Sequence, residues 1–299
     1  MYDLIIIGAG PAGITAAVYA ARKKMNFLVI TGNIGGQAAW SGDIENYTGY
    51  QFISGPDLAS KFEEHMRKYN IPVKENELAT GINRNAEFIT VKTNKDEYQA
   101  KTAIIASGKR SKELRVSGEE QFKNRGLTYC ATCDGPIFAD KIVAVIGGGN
   151  SALDAALQLI KIASKVYLIN NTASLEGDAV MLQKVKAAPN VSIYNDSQVT
   201  AILGDKFVNA IKIIHEGKDE VIAVQGVFVE IGLIPNTNFT EGIEKNERGE
   251  IKVNNRNETN IPGIFAAGDA TDVPEKQIII AAGEGSKAAL SAFRYLAQS

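Results

Sequence analysis

The chain has 299 residues, of which 45% are hydrophobic and 22% charged, and its formal net charge is −2. That length exceeds one ordinary core and sets an expectation of two globular domains. The small charge gives no polyanion-binding signal, so nucleic acid is not an expected partner, and only two cysteines do not make a secreted disulfide scaffold.

The first element, YDLIIIGAG (2–10), is a β-branched run ending in glycines and predicts a buried parallel strand. PAGITAAVYAARKK (11–24) predicts a helix, with Pro11 at its start and basic residues at its end, where the helix dipole favours them. NFLVIT (26–31) predicts the next strand and completes a βαβ unit. Leu4 to Ala21 carries no charge, but Gly8, Gly10, Pro11 and Gly13 interrupt it and no basic region precedes it, unlike a signal peptide. No other stretch approaches a spanning length, so the expectation is a cytoplasmic protein without membrane contact.

Residues 31–56 form a glycine- and asparagine-containing stretch, long for a plain connection and therefore a functional-loop candidate. DLASKFEEHMRKY (57–69) predicts an amphipathic helix and TAIIASG (102–108) a buried strand; the charged KRSKELRVSGEEQFKNRG (109–126) predicts a linker. The βαβ pattern then recurs in KIVAVIGGGNSALDAALQLIKIASKVYLIN (141–170). Gly8 aligns with Gly147, Gly10 with Gly149, Gly13 with Ala152 and Thr31 with Asn170. Segments 198–204, 207–216 and 219–224 predict a short antiparallel meander, GVFVEIG (226–232) a strand, and TNFTEGIEKNERGE (237–250) a second linker. GIFAAGDA (263–270) predicts a strand ending at Gly268-Asp269, and residues 276–298 a closing helix. The predicted class is α/β: two Rossmann-like, three-layer ββα dinucleotide-binding domains, the second inserted into the first. The boundaries are 1–113 with 244–299, and 114–243.

Each glycine turn has its own physical reason. In GAGPAG the first glycine makes the turn, the second lets backbone approach a pyrophosphate, and the third lets helix pack on strand. The phosphates then face free N–H groups at the helix start. In GGGNSA, Ala152 fills the third place, which the motif allows. The fingerprint also asks for an acid about 20 residues on, for the ribose hydroxyls. Thr31 and Asn170 stand there instead, and from Val166 to Gln183 there is no Lys or Arg for a 2′-phosphate.

The two cysteines lie in LTYCATCDG (127–135), as Cys130 and Cys133, followed by Asp134. C-x-x-C beside βαβ units reads as a redox pair. A zinc site would need two more ligands, and His65 and His215 are remote in sequence; the expectation is no metal. Buried structural thiols are the plainer alternative, made costly by Asp134 beside them. Asp134 is the candidate proton carrier, with helix capping as its plainer role. A dithiol cannot take a hydride from a nicotinamide directly, whereas a flavin between them can pass two electrons on.

At this point the motifs resemble a family. GAGPAG, GGQ (35–37), DIENY (43–47), YCATCDGP, GGGNSA, GLIPNT (232–237) and AAGDA with KQIIIAAGEG resemble the low-molecular-weight thioredoxin reductases. They are also similar to the flavoprotein part of alkyl hydroperoxide reductase. The resemblance implies an FAD domain built from both chain ends, a mobile inserted nicotinamide domain carrying the dithiol, and a homodimer. It implies that Gly8, Gly10, Pro11, Ala12 and Gly13 hold the FAD pyrophosphate. Gln37 and Asn46 would contact the flavin end, Gly36 and Gly108 would also bind the cofactor, Asp269 would lie on the ribityl chain, and Gln277 and Ile278 on the pyrimidine edge. Gly147, Gly149, Asn150, Ser151, Ala152 and Asn170 would hold NADH or NADPH. Cys133 would face the flavin, Cys130 would attack a thioredoxin-like protein disulfide, and Asp134 would be acid–base. No thioredoxin-like domain precedes the motifs, which makes the free-standing reductase the expectation. NADPH-using members carry a His-Arg-Arg cluster where this chain has INNTASLEGD (169–178). The donor therefore stays open between NADH, weakly bound NADPH, and ferredoxin or another non-NADPH source. A peroxidase or glutaredoxin-like target and a flavin-binding redox sensor are the alternatives.

Overall fold

The computed structural model describes residues 1–41 and 43–298, without the side chains of Asp43 and Cys133. The chain divides into two compact units. Unit 1 is Met1–Arg110 with Ile234–Ser299, and unit 2 is Ser111–Leu233.

The first half of unit 1 runs β1 (Tyr2–Ala9), α1 (Pro11–Arg22), β2 (Phe27–Ile34), α2 (Gly55–Arg67), β3 (Val73–Lys74), β4 (Ala79–Arg84), β5 (Ile89–Thr93) and β6 (Glu97–Ile105). Unit 2 contains β7 (Leu127–Thr128), α3 (Ala131–Asp134), β8 (Ile142–Ile146), α4 (Asn150–Ile160), β9 (Lys165–Ile169), α5 (Ala179–Ala187) and β10 (Val191–Tyr194). It continues with the meander β11 (Ser197–Gly204), β12 (Val208–His215), β13 (Lys218–Ala223), then β14 (Gly226–Val229). Back in unit 1, the chain adds β15 (Ile264–Ala266) and α6 (Ile278–Gln298).

The unit 1 sheet has the order β3-β2-β1-β6-β5-β4. β1 pairs in parallel with β2 and β6, and β15 pairs in parallel with Ala103–Ile105 at the end of β6. Because β1 is covered on both faces, its apolar run is continuous rather than alternating. Its period of two still sorts the side chains. Leu4 and Ile6 pack with α1 and α6 residues such as Ala16 and Ala288, and Ile5 and Ile7 with Ile89 and Val91. α1 meets α6 through small residues, and a Cβ on Gly285 would sit 2.0 Å from the Ala12 carbonyl oxygen.

In unit 2 the same logic repeats. The parallel sheet β7-β14-β8-β9-β10 carries Val143 and Val145 toward the helices and Ala144 and Ile146 toward the meander. Helices, sheet and meander give the three layers.

The unit changes fall at Arg110/Ser111 and Leu233/Ile234 rather than near 113 and 243. Residues 236–243 stay in unit 1 because they bond to it. The Ile82 N–H donates to Phe239 O at 3.2 Å, and the Asn236 N–H to Gly108 O at 2.9 Å. The polar segment 237–250 is accordingly not a crossing. On its own side, unit 2 ties its two ends together by Lys112 N–H to Gly232 O, 2.9 Å.

Candidate active site

In unit 1, the turn after β1 needs glycine for steric reasons. Gly8 has φ +107°, and a Cβ on Gly13 would lie 1.9 Å from Gly8 O. α1 then starts at Pro11 behind Gly10 as its N-cap, with no side-chain cap and no acid in its first turn. Its free N–H groups suit an anion. By contrast, α2 is capped by Ser54 and α5 by Asp178. Gly36, at φ +56°, closes onto the turn; a Cβ there would sit 3.0 Å from Gly10 Cα. Thr31 is buried, accepting from the Ala9 N–H at 3.2 Å and donating to Asn33 O at 2.6 Å. Its hydroxyl joins the first two strands.

The other residues expected at a flavin meet in the same unit. Gln37 Nε2 donates to Lys109 O at 3.1 Å, next to Gly108 (φ +61°). Asn46 Nδ2 donates to Gln277 Oε1 at 3.0 Å, just before α6 begins at Ile278. Asp269 sits on a short turn whose Gly268 packs against Ala12. Burial pushes the Asp269 carboxyl up, while Lys109 and Lys276 pull it down and Glu250 adds to the rise.

Sequence reasoning passed over the cluster beneath these residues. Glu250 is 4% exposed and accepts from Lys109 Nζ at 3.0 Å and Asn246 Nδ2 at 2.7 Å. Lys276 Nζ lies 3.1 Å from the same carboxylate and donates to Thr271 O at 2.5 Å. Burial alone would raise the Glu250 carboxyl; the hydrogen bonds from Asn246, Lys109 and Lys276 prevail and hold it at about 2. The available signal was position: each lysine adjoins a motif residue, Gly108 or Gln277.

In unit 2, the second glycine turn repeats the first. Gly147 has φ +139°, and α4 begins at Asn150 behind Gly149 as its N-cap, with neither a side-chain cap nor an acid in its first turn. Ala152 is fully buried, and Ser151 beside it is exposed. Asn150 Oδ1 accepts from the Asp178 N–H at 2.8 Å, so the loop after β9 closes on the turn. Asn170 is 1% exposed, and its amide is used internally. Nδ2 donates to Thr172 O at 3.0 Å and Asn195 Oδ1 at 3.1 Å, while Oδ1 accepts from Thr172 Oγ1 at 2.9 Å.

Cys130 is disulfide-bonded. The sequence holds one other cysteine, Cys133, whose side chain lies outside the described residues. The backbone around the pair is held by Thr128. Its hydroxyl donates to Asp134 Oδ2 and accepts from the Cys130 N–H at 3.2 Å. The Asp134 N–H returns to Cys130 O at 3.2 Å, closing one turn. Thr132 Oγ1 donates to Gln158 Oε1 at 2.8 Å, fixing α3 to α4. Tyr129 donates to buried Glu119 at 2.7 Å, and Glu119 also accepts from the N–H groups of Leu114 and Arg115. An acid, a hydroxyl and a sulfur thus share one loop, the parts needed for thiol–disulfide exchange with proton transfer.

A profile of the pyridine nucleotide-disulphide oxidoreductases matches residues 2–285. The chain belongs to this family. It is therefore an oxidoreductase, and the family implies the use of a flavin and a pyridine nucleotide. The chain is 41% identical over 298 residues to a Bacillus subtilis protein named NADH dehydrogenase, covering 99% of this chain and 58% of that one. It is 40% identical over 299 residues to the F subunit of alkyl hydroperoxide reductase of Staphylococcus epidermidis, covering 99% of this chain and 59% of that one. The chain thus spans less than two thirds of the length of these relatives. Among solved structures it is similar to the thioredoxin reductase of Lactococcus lactis, with a TM-score of 0.93, 35% identity and 100% of both chains covered. The resemblance to thioredoxin reductases drawn from the motifs, and the two-domain α/β architecture, both hold. Among the described residues no helix is long and apolar enough to cross a membrane.

Proposed function

We propose that this oxidoreductase is an FAD-dependent disulfide reductase that reduces a thioredoxin-like protein through Cys130 and Cys133. One observation carries the reading: the Thr128 hydroxyl accepts from the backbone N–H of disulfide-bonded Cys130 and donates to the Asp134 carboxylate, so a redox cysteine and a proton carrier occupy one loop.

The unit 1 residues fit a flavin dinucleotide. The uncapped start of α1 would take the pyrophosphate, Asp269 the ribityl hydroxyls, and the Asn46–Gln277 pair with Ile278 the ring edge. When bound, FAD supplies two-electron transfer between a nicotinamide and a disulfide. The start of α4, with Gly147, Gly149, Asn150, Ser151 and Ala152, would hold a pyridine dinucleotide. The absence of Lys and Arg from Val166 to Gln183 favours NADH over NADPH.

The exchange half-reaction balances on the protein's own atoms. Reduced Cys130, as thiolate, attacks one sulfur of the partner disulfide. A mixed disulfide forms and the partner's other sulfur leaves, taking a proton. The Cys133 thiolate then attacks Cys130, re-forming the intramolecular disulfide and releasing the second partner thiol. Asp134 passes the protons. Thioredoxin lies near about −270 mV, within reach of a nicotinamide-driven flavin.

A peroxidase partner is the second reading, favoured by the 40% identity to a protein named for alkyl hydroperoxide reduction. The test is turnover of NADH with thioredoxin or with a thiol peroxidase, for wild type and Cys130→Ser. Thioredoxin reduction that disappears in Cys130→Ser, with flavin retained, is the expected outcome. A colourless protein that cannot be reconstituted with flavin, or unchanged turnover in Cys130→Ser, defeats the reading.

A further inference from the structure

The order β7-β14-β8-β9-β10 reverses between β8 and β14. The chain leaves β8 toward β9 and returns through β14 on the other side. In open parallel α/β sheets, ligands enter at the carboxyl ends of strands at this switch point. Two residues flank it: Gly147, which opens the glycine turn, and Glu230, the first residue past β14. They touch. The Glu230 N–H donates to Ile146 O at 2.7 Å, and a Cβ on Gly147 would lie 2.1 Å from Glu230 O.

A carboxylate is an unexpected group to line an anion site. β8 (IVAVI) and β14 (GVFV) carry no titratable side chain, and α4 (NSALDAALQLI) carries one, Asp154. α3 adds Asp134, which is held by Thr128. Asp154 accepts from Gln158 Nε2 at 2.8 Å. Burial first, and the charge of Asp154 second, push the Glu230 carboxyl up to about 8. Protonated, Glu230 can donate an O–H to a pyrophosphate oxygen; ionised, it repels that oxygen.

We propose that Glu230 lines the dinucleotide site of unit 2 and must carry a proton for the pyrophosphate of a pyridine dinucleotide to bind there. The inference rests on reading unit 2 as the nicotinamide-nucleotide domain. Glu230 is then a specificity-determining residue for the donor, and the site favours its ligand on the acid side of the Glu230 titration.

The test is calorimetric titration of oxidised holoenzyme with NAD⁺, which moves no electrons, at pH 7 and pH 9. For wild type the affinity should fall about tenfold between these values, as binding to one protonation state requires. For Glu230→Gln, which keeps the shape and the donor at every pH, the affinity should stay constant within about twofold. Glu230→Ala gives a second flat profile at weaker affinity should the Gln variant fold poorly. Equal slopes in wild type and variants overturn the inference and leave the domain reading standing. Absence of NAD⁺ binding to wild type at both pH values overturns both.

Discussion

Asn46 and Gln277, 231 residues apart in the chain, are joined amide to amide at 3.0 Å. The bond ties the loop after β2 to the start of α6, the two segments expected at the edge of the flavin ring. Asn46→Ala removes the donor and frees both segments. One hydrogen bond contributes about 0.5–1.5 kcal/mol, so FAD affinity should fall about three- to tenfold. Flavin fluorescence released on dilution measures this. An affinity equal to wild type would show that the pair does not organise the ring site.

Glu250 gives the fold an acid-sensitive element. Its carboxyl is held near 2 against an ordinary 4.5. A depressed carboxyl contributes stability that is present above its unfolded value and lost as pH falls through the folded one. Unit 1 should therefore lose stability between pH 4.5 and pH 2, by up to about 3 kcal/mol from this group. In Lys109→Met the carboxylate keeps Lys276 and Asn246 but loses one buried cation. The variant should be less stable by about 1–3 kcal/mol at pH 7 and lose less on acidification. Urea unfolding at pH 7 and pH 3.5 compares the two; identical pH dependence would remove Lys109 from the network.

How much of this was legible in the sequence follows from burial. β1, β8 and β15 are short apolar runs covered on both faces, and the glycines after β1 and β8 meet backbone that would clash with any Cβ. Such positions allow few residues and so announce themselves. The hairpin β4–β5 was not legible, because ATGINR has one buried residue, Ile82, and ITVKT only two, Ile89 and Val91, among polar neighbours. α5 was missed because Val185 is its one buried residue. The Lys109–Glu250 pair spans 141 positions and leaves no local pattern. Glu230 hid inside a hydrophobic word, GVFVEIG, where only the sheet order shows that it stands at the switch point.

Asp134 should matter for rate more than for folding. Its carboxylate takes the Thr128 hydroxyl, and Asn can accept the same bond without carrying a proton. Asp134→Asn should therefore keep its thermal midpoint while turnover with thioredoxin drops about 10²–10⁴-fold, the usual loss for a general acid–base group. Flavin reduction by the nucleotide should be unaffected, which separates the exchange step from the steps before it. A loss below about threefold would reduce Asp134 to a cap.

Donor choice is the sharpest prediction, because it rests on what stands after β9. The segment from Val166 to Gln183 has no Lys or Arg, and the Asn170 amide is buried and bonded to Thr172 and Asn195. A 2′-phosphate on the adenine ribose finds no cation from this segment. Anaerobic bleaching of the flavin with NADH and NADPH should show no strong preference for NADPH, and a hundredfold preference would contradict the reading. Asn171 is exposed and immediately follows Asn170. Asn171→Arg would offer a charge-assisted, bidentate contact of about 1.5–3 kcal/mol. The NADPH-to-NADH ratio of kcat/KM should then rise at least about tenfold, with NADH use little changed. If the ratio does not move, the ribose lies elsewhere than at the end of β9, and the correspondence between the two glycine turns does not extend to nucleotide binding.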